Sequence, residues 1–439
     1  MHEFGGTRRN VVRSLALILA AGAVLASARA DASLGDCGQP VTNGSNPTAT
    51  DCLYILKAAV GAQVCTPECV CDVNAAGGVT ATDALTCLKK AVGQNVTLDC
   101  GPGCVGSTTT LPPTTTTTTT LPQGQSAELV VFTKSSGSYA LADLAGTWDV
   151  NTLATGPGAP YWSRGSLTVQ PDGDFSGSIS DIDGANENVS GTLAISGKGI
   201  VTCTSLQCPV QFQGGMDAGK SVMAITFTWD DGTTELLIGT KRGGSYAQAD
   251  LAGTWGVHDL LSNPGEASWE RGVFNIGTDG AASGNLTGSD GSSDSVSATI
   301  KLSSRGALTC TSGCYPTMKG ALDGAKRVAA FTFTGDLGAA NLMLMCSQGA
   351  SYAQADLAGA WRVNALVSGD DAPLWKRGGI TIQSNGDFSG TLTRSSGGSE
   401  DASGTFALNS KGIVTIGDDR DFHCALDALK TVFVCTNSD

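Results

Sequence analysis

Charged side chains are scarce in this sequence. Asp, Glu, Lys and Arg make up 15% of its 439 residues, against about 25% in an ordinary globular protein. Glycine is abundant instead, with 59 residues, about twice the usual share of ~7%. Few charges and many glycines argue against long surface helices and favour a chain of short strands and turns. We therefore expect a mainly β fold.

Histidine is almost absent as well. The sequence has three, His2, His258 and His423, at places that do not match one another. This scarcity excludes a histidine-dependent mechanism repeated in every domain. A nucleophile elbow, a zinc-protease helix, a phosphate loop and a dinucleotide fingerprint are also missing from the sequence. We expect the protein not to be an enzyme.

Basic residues are outnumbered, 26 against 40 acidic ones, for a net charge of −14. Such a chain repels nucleic acids and anionic membranes, so neither is an expected partner. Long apolar runs are missing beyond the N-terminus, so no membrane span is expected. The one short run, 15–26, follows Arg8, Arg9 and Arg13 and precedes a small-x-small site at 28–30. This pattern predicts a bacterial-type export signal over 1–30 and a secreted or cell-surface protein.

Cysteines are numerous, as in many exported proteins. Eight lie close together: Cys37, Cys52, Cys65, Cys69, Cys71, Cys87, Cys100 and Cys104. An even, dense set in a short segment indicates a disulfide framework whose connectivity the sequence leaves open. Zinc is the alternative, because Cys65, Cys69 and Cys71 cluster, but no histidine lies nearby. Further along the chain we expect local bonds for Cys203 with Cys208, Cys310 with Cys314 and Cys424 with Cys435, which leaves Cys346 over.

The cysteine-rich segment, 36–104, contains a duplication. Residues 48–61 and 80–93 superimpose without gaps at a spacing of 32. In each copy Thr and Asp precede an apolar pattern with helical spacing, and Gly61 or Gly93 follows it, so two short helices are predicted. Their matching apolar positions are Leu53, Leu56 and Val60 in one helix and Leu85, Leu88 and Val92 in the other. Helices this short need disulfides to hold a core.

A twelve-residue loop, 72–83, leads into the second helix. It has Asp72 at position 1, Asn74 at 3, Gly77 at 6 and Asp83 at 12, which is the order of an EF-hand calcium loop. With the duplicated helix, residues 36–100 resemble a type I dockerin. The resemblance implies calcium bound by Asp72, Asn74 and Asp83 and a cohesin-like protein partner.

The loops depart from the dockerin pattern at named positions. Ala76 stands where a fifth-position ligand belongs, and the first loop has Pro40 and Thr42 in place of acids. The alternative is a module that is held together by its disulfides and binds no metal. After it, residues 105–126 are rich in Thr and Pro without charge, which predicts an extended tether.

The rest of the chain is a triplicate. Segments 138–148, 245–255 and 351–361 are nearly identical, at spacings of 107 and 106. Alternating strand patterns and Asp-Gly turns give about eight short strands per copy. We expect three antiparallel units of about 105 residues, at 127–232, 233–337 and 338–439. Each would close as a barrel, which removes exposed edges; a six-bladed propeller is the alternative.

Each copy opens on Gly-x-Trp, at Gly146–Trp148 and its two counterparts ending in Trp255 and Trp361. With the hairpins, this motif resembles the small bacterial lipocalin-like domains. The resemblance implies that the tryptophan plugs one barrel end and stacks on an arginine, a role open to Arg164, Arg271 and Arg377.

One predicted strand precedes the first copy although it resembles the last strand of a copy. Residues 127–134 match 234–241, the last strand of the first copy, whereas the third copy stops without that strand. The early strand could therefore close the third unit and join the two ends of the body.

Other repeated residues have two interpretations each. Trp162, Trp269 and Trp375 could stack on sugar rings, although tryptophans at fixed places in a β repeat more often belong to the core. The repeated acids Asp143, Asp250 and Asp356 are expected to cap a short turn. A second set precedes lysine by three residues and is expected to form exposed ion pairs: Asp217, Asp323 and Asp427 with Lys220, Lys326 and Lys430.

These features favour a secreted, non-catalytic modular protein, because active sites rarely occur as three similar copies. The head would attach to a protein, and the β array would bind or display. Two alternatives remain. The protein could be a carbohydrate-binding component of polysaccharide degradation, or it could carry a small apolar ligand within its barrels.

Overall fold

A computed structural model describes residues 37–38, 47–60, 65, 70–74, 78–92, 94, 96–100, 126–135, 137–206, 208–263, 266–369, 373–417 and 419–438. The expected signal at 1–30 and the linker up to residue 125 lie outside them. The chain divides into two compact units, Met1–Thr118 and Thr119–Asp439, and each is described by itself. In the part of the chain so described, no helix has both the length and the apolarity that a membrane crossing requires.

The first unit, called the head, has two helices, α1 (Ala49–Ala59) and α2 (Ala81–Ala91). Each begins after an extended threonine, and an aspartate in the first turn closes a capping box. The predicted helices are therefore present. Gly61 and Gly93 lie outside the described residues.

Disulfides form much of the core of the head. The bonds are Cys37–Cys100, Cys52–Cys87 and Cys65–Cys71. Cys52–Cys87 joins α1 to α2, and the buried Ile55 and Ala84 pack in the same cluster. Zinc is thus the wrong alternative for Cys65 and Cys71, because their sulfurs are bonded to each other. Cys69 and Cys104 lie outside the described residues.

The second unit, called the body, consists of 24 strands in its described residues, arranged as three closed antiparallel barrels of eight. Barrel 1 contains β2 (Gly146–Thr155), β3 (Tyr161–Val169), β4 (Asp174–Asp181), β5 (Asn186–Ile195), β6 (Ile200–Cys203), β7 (Val210–Met216), β8 (Val222–Thr228) and β9 (Thr234–Lys241). Barrel 2 contains β10 (Gly253–Asn263), β11 (Glu266–Ile276), β12 (Ala281–Gly288), β13 (Ser293–Leu302), β14 (Ala307–Ser312), β15 (Lys319–Leu322), β16 (Val328–Thr334) and β17 (Ala340–Ser347). Barrel 3 contains β1 (Ala127–Lys134), β18 (Gly359–Ser368), β19 (Leu374–Ile382), β20 (Asp387–Arg394), β21 (Ser399–Leu408), β22 (Ile413–Ile416), β23 (Asp419–Leu426) and β24 (Val432–Ser438).

The predicted fold class is confirmed, and the propeller alternative is wrong, because each set of eight strands closes on itself. Barrel 3 closes with the early strand: β1 pairs with β18 on one side and with β24 on the other. The barrels are therefore shifted by one strand from the sequence units 127–232, 233–337 and 338–439. The first and last strands of the body are thereby hydrogen-bonded neighbours.

The Gly-x-Trp motif marks the start of the first strand of each copy. Gly146 has a φ of +132°, and its counterparts Gly253 and Gly359 have φ values of +139° and +134°. Glycine adopts this backbone region without strain. It lets the chain leave the preceding 3-10 turn, such as Leu141–Asp143, and enter the barrel directly.

Alternation along each strand divides the side chains between two cores. In β2, Trp148 and Val150 belong to the core within barrel 1, whereas Leu153 faces outward. The outward residues of all three barrels form one shared cluster, called the inter-barrel core: Leu129, Val131, Leu153, Val222, Leu236, Ile238, Leu260, Val328, Leu342, Leu344, Leu366, Val432 and Val434, with smaller residues between them. The three barrels consequently share one continuous core.

Cysteines in the body pair as expected. The bonds are Cys203–Cys208, Cys310–Cys314 and Cys424–Cys435. Cys346 is a free thiol in the inter-barrel core, and burial holds its pKa well above the ordinary value. It is a small apolar side chain here and not a reactive one.

Candidate functional site

The predicted calcium loop brings carboxylates to the start of α2. Asp83 is fully buried, and its Oδ2 accepts hydrogen bonds from the backbone N–H and the hydroxyl of Thr80 at 2.8 and 2.7 Å. Its Oδ1 accepts no hydrogen bond from the described residues. Asp72 is 9% exposed and accepts a 3.2 Å bond from the N–H of Gly78. A buried carboxylate oxygen without a donor suits a cation better than empty space.

The ligand set of this loop is small. Asn74 lies between the two acids in sequence and forms an isolated parallel bridge with Asp99. In the described residues no group of three His, Cys, Asp or Glu side chains is placed to hold a metal ion. Ala76, Gly77, Pro40 and Thr42 lie outside them. Hard oxygen ligands fit calcium, and two carboxylates with one amide would give weak binding.

The repeated apolar positions of the helices face solvent. The exposed fractions are 52% for Leu53 and 42% for Leu56 in α1 and 70% for Val60, which caps its C-terminus. In the second copy they are 52% for Leu85 and 44% for Leu88 in α2 and 67% for its C-cap, Val92. The core uses other positions, such as Ile55 and Cys87, which are completely buried. The head thus presents the same aliphatic surface twice, called the paired aliphatic faces.

The tryptophans of the Gly-x-Trp motif belong to the cores within the barrels. Trp148, Trp255 and Trp361 are at most 1% exposed, and each indole N–H donates to a backbone carbonyl four residues earlier, at 2.7, 2.8 and 2.6 Å. The stacking partner implied by the lipocalin-like resemblance is wrong. A lysine from the closing strand takes the place of arginine: Lys241 over Trp148 and Lys134 over Trp361.

The second set of tryptophans joins neighbouring barrels. Trp162, Trp269 and Trp375 are 3%, 3% and 1% exposed. Their indole N–H groups donate to hydroxyls of the next barrel: Thr334 at 3.0 Å, Ser438 at 2.8 Å and Thr228 at 2.9 Å. The contacts run from barrel 1 to 2, from 2 to 3 and from 3 back to 1, so they form a closed ring.

Arginines cover the same indole rings. Arg164, Arg271 and Arg377 lie 4.2, 4.1 and 4.1 Å from the ring centres of the tryptophans two residues before them. Arg164 also donates to the carbonyls of Thr317 and Thr332 in barrel 2. Sugar stacking needs an open indole face, and these faces are occupied. The sites proposed for sugar are joints between barrels.

The acids expected to form exposed ion pairs are in fact buried. Asp217, Asp323 and Asp427 are 0% exposed and surround one guanidinium, that of Arg327, which belongs to barrel 2. Expected pairing with the lysines three residues later is wrong, because the turns direct the carboxylates inward and the lysines outward. Arg327 stands where the other copies have Ser221 and Thr431, and it donates to both hydroxyls.

The lysines pair instead with the capping acids. Lys220, Lys326 and Lys430 contact Asp143, Asp250 and Asp356 at 2.8, 2.7 and 2.6 Å. Each of these acids also accepts the backbone N–H three residues earlier, at 2.8 Å. The capping role predicted for them is confirmed. Hydrogen bonds from lysine and backbone hold the pKa of Asp143 and Asp250 below the ordinary value.

The two unmatched histidines meet at the joint between barrels 2 and 3. His258 is 2% exposed, its Nδ1 lies 3.1 Å from the hydroxyl of Thr436, and its ring centre is 6.4 Å from that of His423. Burial lowers the pKa of His258 well below the ordinary value and that of His423 to about 4. The residues that correspond to His258 in the other copies are Asn151 and Asn364, and Gln213 of the first copy corresponds to His423. Sequence comparison of the copies thus marks this joint as different.

No family model matches the chain, and no curated protein matches it. Among solved structures, a DUF3598-family protein of unknown function from Nostoc punctiforme is 9% identical, with 68% of this chain and 97% of that one covered and a TM-score of 0.18. Kievitone hydratase from Nectria haematococca is 7% identical, with 49% and 98% covered and a TM-score of 0.19. Transferrin Binding Protein B from Haemophilus parasuis is 9% identical, with 72% and 75% covered and a TM-score of 0.16. Likeness at this level says nothing about what this chain binds.

Proposed function

We propose that the chain is a secreted, non-catalytic modular protein whose head attaches it to a partner protein through the paired aliphatic faces. The body is the rigid part that is displayed. The observation that carries this proposal is the exposure of six large aliphatic side chains on two short helices. Monomeric proteins rarely leave such a surface uncovered unless it binds something.

The chemistry of the faces fits a protein partner. Leucine and valine side chains offer no hydrogen bonds to a sugar or a nucleotide, but they bury well against another apolar surface. Lys57 and Lys89 are exposed on the same helices, so a partner with acidic groups around an apolar centre would be complementary. A cohesin-like domain is the partner class that we propose.

Calcium is proposed as the cofactor of the second loop. Asp72, Asn74 and Asp83 would hold it, with Asp83 Oδ1 as the buried ligand. When bound, the ion would supply positive charge that fixes the loop against the start of α2. The loop fixed in this way would hold the aliphatic face of α2 in one orientation relative to the loop.

Isothermal titration of the full secreted chain with a cohesin domain, in the presence of calcium, tests the attachment. The double variants L53D/L56D and L85D/L88D are expected to weaken binding at least tenfold, because each places two charges in an apolar interface. Leu429, a leucine of the body that is 56% exposed, provides the matched control L429D, which should bind unchanged. Equal binding by all three variants would refute the role of the faces.

The calcium proposal has a matched control within the head. Asp51 in α1 makes the same two capping bonds to Thr48, both at 2.8 Å, as Asp83 makes to Thr80. D83N and D51N should therefore lower head stability alike, whereas D83N alone should abolish the heat of calcium binding. Identical calcium titrations for the two variants would remove the metal from the proposal.

A further inference from the structure

The barrels differ in charge at one matched position within their interiors. Cross-strand neighbours Thr152 and Ser163 face the lumen of barrel 1, and the register places Asp259 and Glu270 at the same position in barrel 2. Ala365 and Lys376 occupy it in barrel 3. The closing strands add a third residue beside each pair: Glu235, Asn341 and Glu128 in the same order of barrels.

Barrels 1 and 3 satisfy their buried acids internally. In barrel 1, Glu235 accepts a 2.7 Å bond from the indole N–H of Trp229 and further bonds from Thr152 and Tyr161. In barrel 3, Glu128 lies 3.5 Å from the ammonium of Lys376. Each of these two lumens therefore provides its own donor or cation.

Barrel 2 contains a buried acid, Asp259, for which no cation or side-chain donor is found among the described residues. Asp259 is 3% exposed and Asn341 is fully buried, and the Oδ1 atom of each accepts no hydrogen bond from the described residues. Strand alternation directs both into the lumen: Val257 and Met343, the neighbours on the same face, belong to the core of barrel 2. The backbone of Leu260 gives the carboxylate of Asp259 one hydrogen bond, but a buried carboxylate without a counter-ion is costly unless a ligand neutralises it. Burial accordingly raises the pKa of Asp259 well above its usual range, and nearby Glu270 raises it further.

Acidic groups and two aromatic rings lie near Asp259 and Glu270 in barrel 2. Glu270 is partly exposed, and the charged groups that act on it are all acids: Asp290, Asp294 and Asp336. Tyr315 donates its hydroxyl hydrogen to Asp336 at 3.0 Å and stacks on Phe333, with ring centres 5.2 Å apart. This acidic cluster attracts cations, and the stacked rings of Tyr315 and Phe333 suit an apolar or aromatic group.

We infer that the lumen of barrel 2 is a binding site for a small primary amine in its ammonium form, carrying an aromatic or other apolar group. The ammonium would donate to the free oxygens of Asp259 and Asn341, and Glu270 would balance its charge. The apolar group would lie against Tyr315 and Phe333. A primary ammonium is preferred because it has three N–H groups that can donate to the two side-chain oxygens that accept no hydrogen bond. A quaternary ammonium has no N–H group and cannot donate to them. This site is separate from the head, so the attachment proposal and this one fail independently.

Titration calorimetry with the full chain tests the inference. The probe is 2-phenylethylamine, compared with 2-phenylethanol, trimethyl(2-phenylethyl)ammonium and calcium chloride. We expect one amine per chain, with the alcohol and the quaternary ion at least tenfold weaker, since each loses the charge-assisted N–H bonds. Equal binding of amine and alcohol would refute the role of the ammonium, because the apolar group alone would then account for the affinity. Displacement of the bound amine by calcium chloride, or no binding of amine, would overturn the inference. Only displacement is counted, because calcium that binds in the head leaves the amine in place.

Substitutions separate a binding role from a structural one. D259N should lower amine affinity at least tenfold and also raise the urea midpoint of the chain, because it removes a buried charge that has no counter-ion. A binding loss with higher stability cannot come from unfolding. E235Q in barrel 1 is the matched control, since its acid already has internal donors, and it should leave amine binding unchanged. Unchanged amine affinity in D259N, or an equal loss in E235Q, would refute the assignment.

Discussion

Replacement of Arg327 is the sharpest test of how the three barrels hold together. Its guanidinium is 2% exposed and is the partner of three carboxylates, one from each barrel, that are 0% exposed. R327M keeps much of the side-chain volume but leaves these carboxylates facing one another. Removing one partner from a buried ion pair costs about 3–5 kcal/mol. We expect a loss of this size at pH 7.

The loss should depend on pH with a defined sign. Burial already raises the pKa of Asp323 while Arg327 is present, and without the guanidinium the pKa of Asp323 should rise further. The folded variant then binds protons that the unfolded chain, with carboxyl pKa values near ~3.9, does not. The loss of unfolding free energy is largest at pH values above the raised carboxyl pKa of the folded variant. It becomes smaller as the pH falls toward the carboxyl pKa of the unfolded chain. R327M should therefore approach the stability of the parent at acid pH.

Urea unfolding followed by tryptophan fluorescence measures both effects. With a slope of about 3 kcal/mol per molar urea, the midpoint of R327M should fall by about 1–1.7 M at pH 7. The control K326M removes the neighbouring ion pair, in which Lys326 is 38% exposed, and should cost at most about 1 kcal/mol. A midpoint for R327M equal to that of the parent, or a deficit that does not change with pH, would refute the assignment of Arg327 as the shared counter-ion.

Two further predictions concern the ring of barrels. A chain that begins at residue 135 loses β1, which pairs with both β18 and β24 and buries Phe132 against Phe433. Amides of β18 and β24 should then lose protection from hydrogen exchange. Retained protection would contradict closure of barrel 3 by β1. The stability of the parent should fall as pH drops from about 6.5 toward 4, because His258 and His423 have lowered pKa values and only the unfolded chain takes up their protons in this window. The double variant H258N/H423Q, which introduces the residues of the first copy, should have a smaller slope over that window, and an unchanged slope would assign the effect to other groups.

The fold was largely predictable from the sequence because its signals are local or repeated. Alternation and Asp-Gly turns give the strands, and the copy of Thr234–Lys241 at Ala127–Lys134 indicates how the last barrel closes. The capping role of Asp143 and its counterparts follows from their position before Leu-Ala-Gly. Each of these inferences needs only neighbouring residues or a comparison of copies.

The joints between barrels were not predictable in the same way. Whether Trp162 faces a sugar or Thr334 of another barrel depends on contacts more than 150 residues apart, which alternation cannot assign. The same holds for Asp217, whose partner is Arg327 and not the nearby Lys220. A signal was present nonetheless: Arg327 replaces Ser221 and Thr431 of the other copies, and such a change of charge at a matched position marks a shared contact.

Comparison of the copies separates positions that assemble the body from positions free to differ. At the outer face, every copy keeps a tryptophan that donates to a hydroxyl of the next barrel and an arginine stacked on that indole. A closed ring requires this, because one failed joint would expose the inter-barrel core. Inside the barrels, the pair at one register position is Thr152 with Ser163, then Asp259 with Glu270, then Ala365 with Lys376. Such differences do not disturb the ring, so the lumens are where three copies of one barrel can acquire different binding properties.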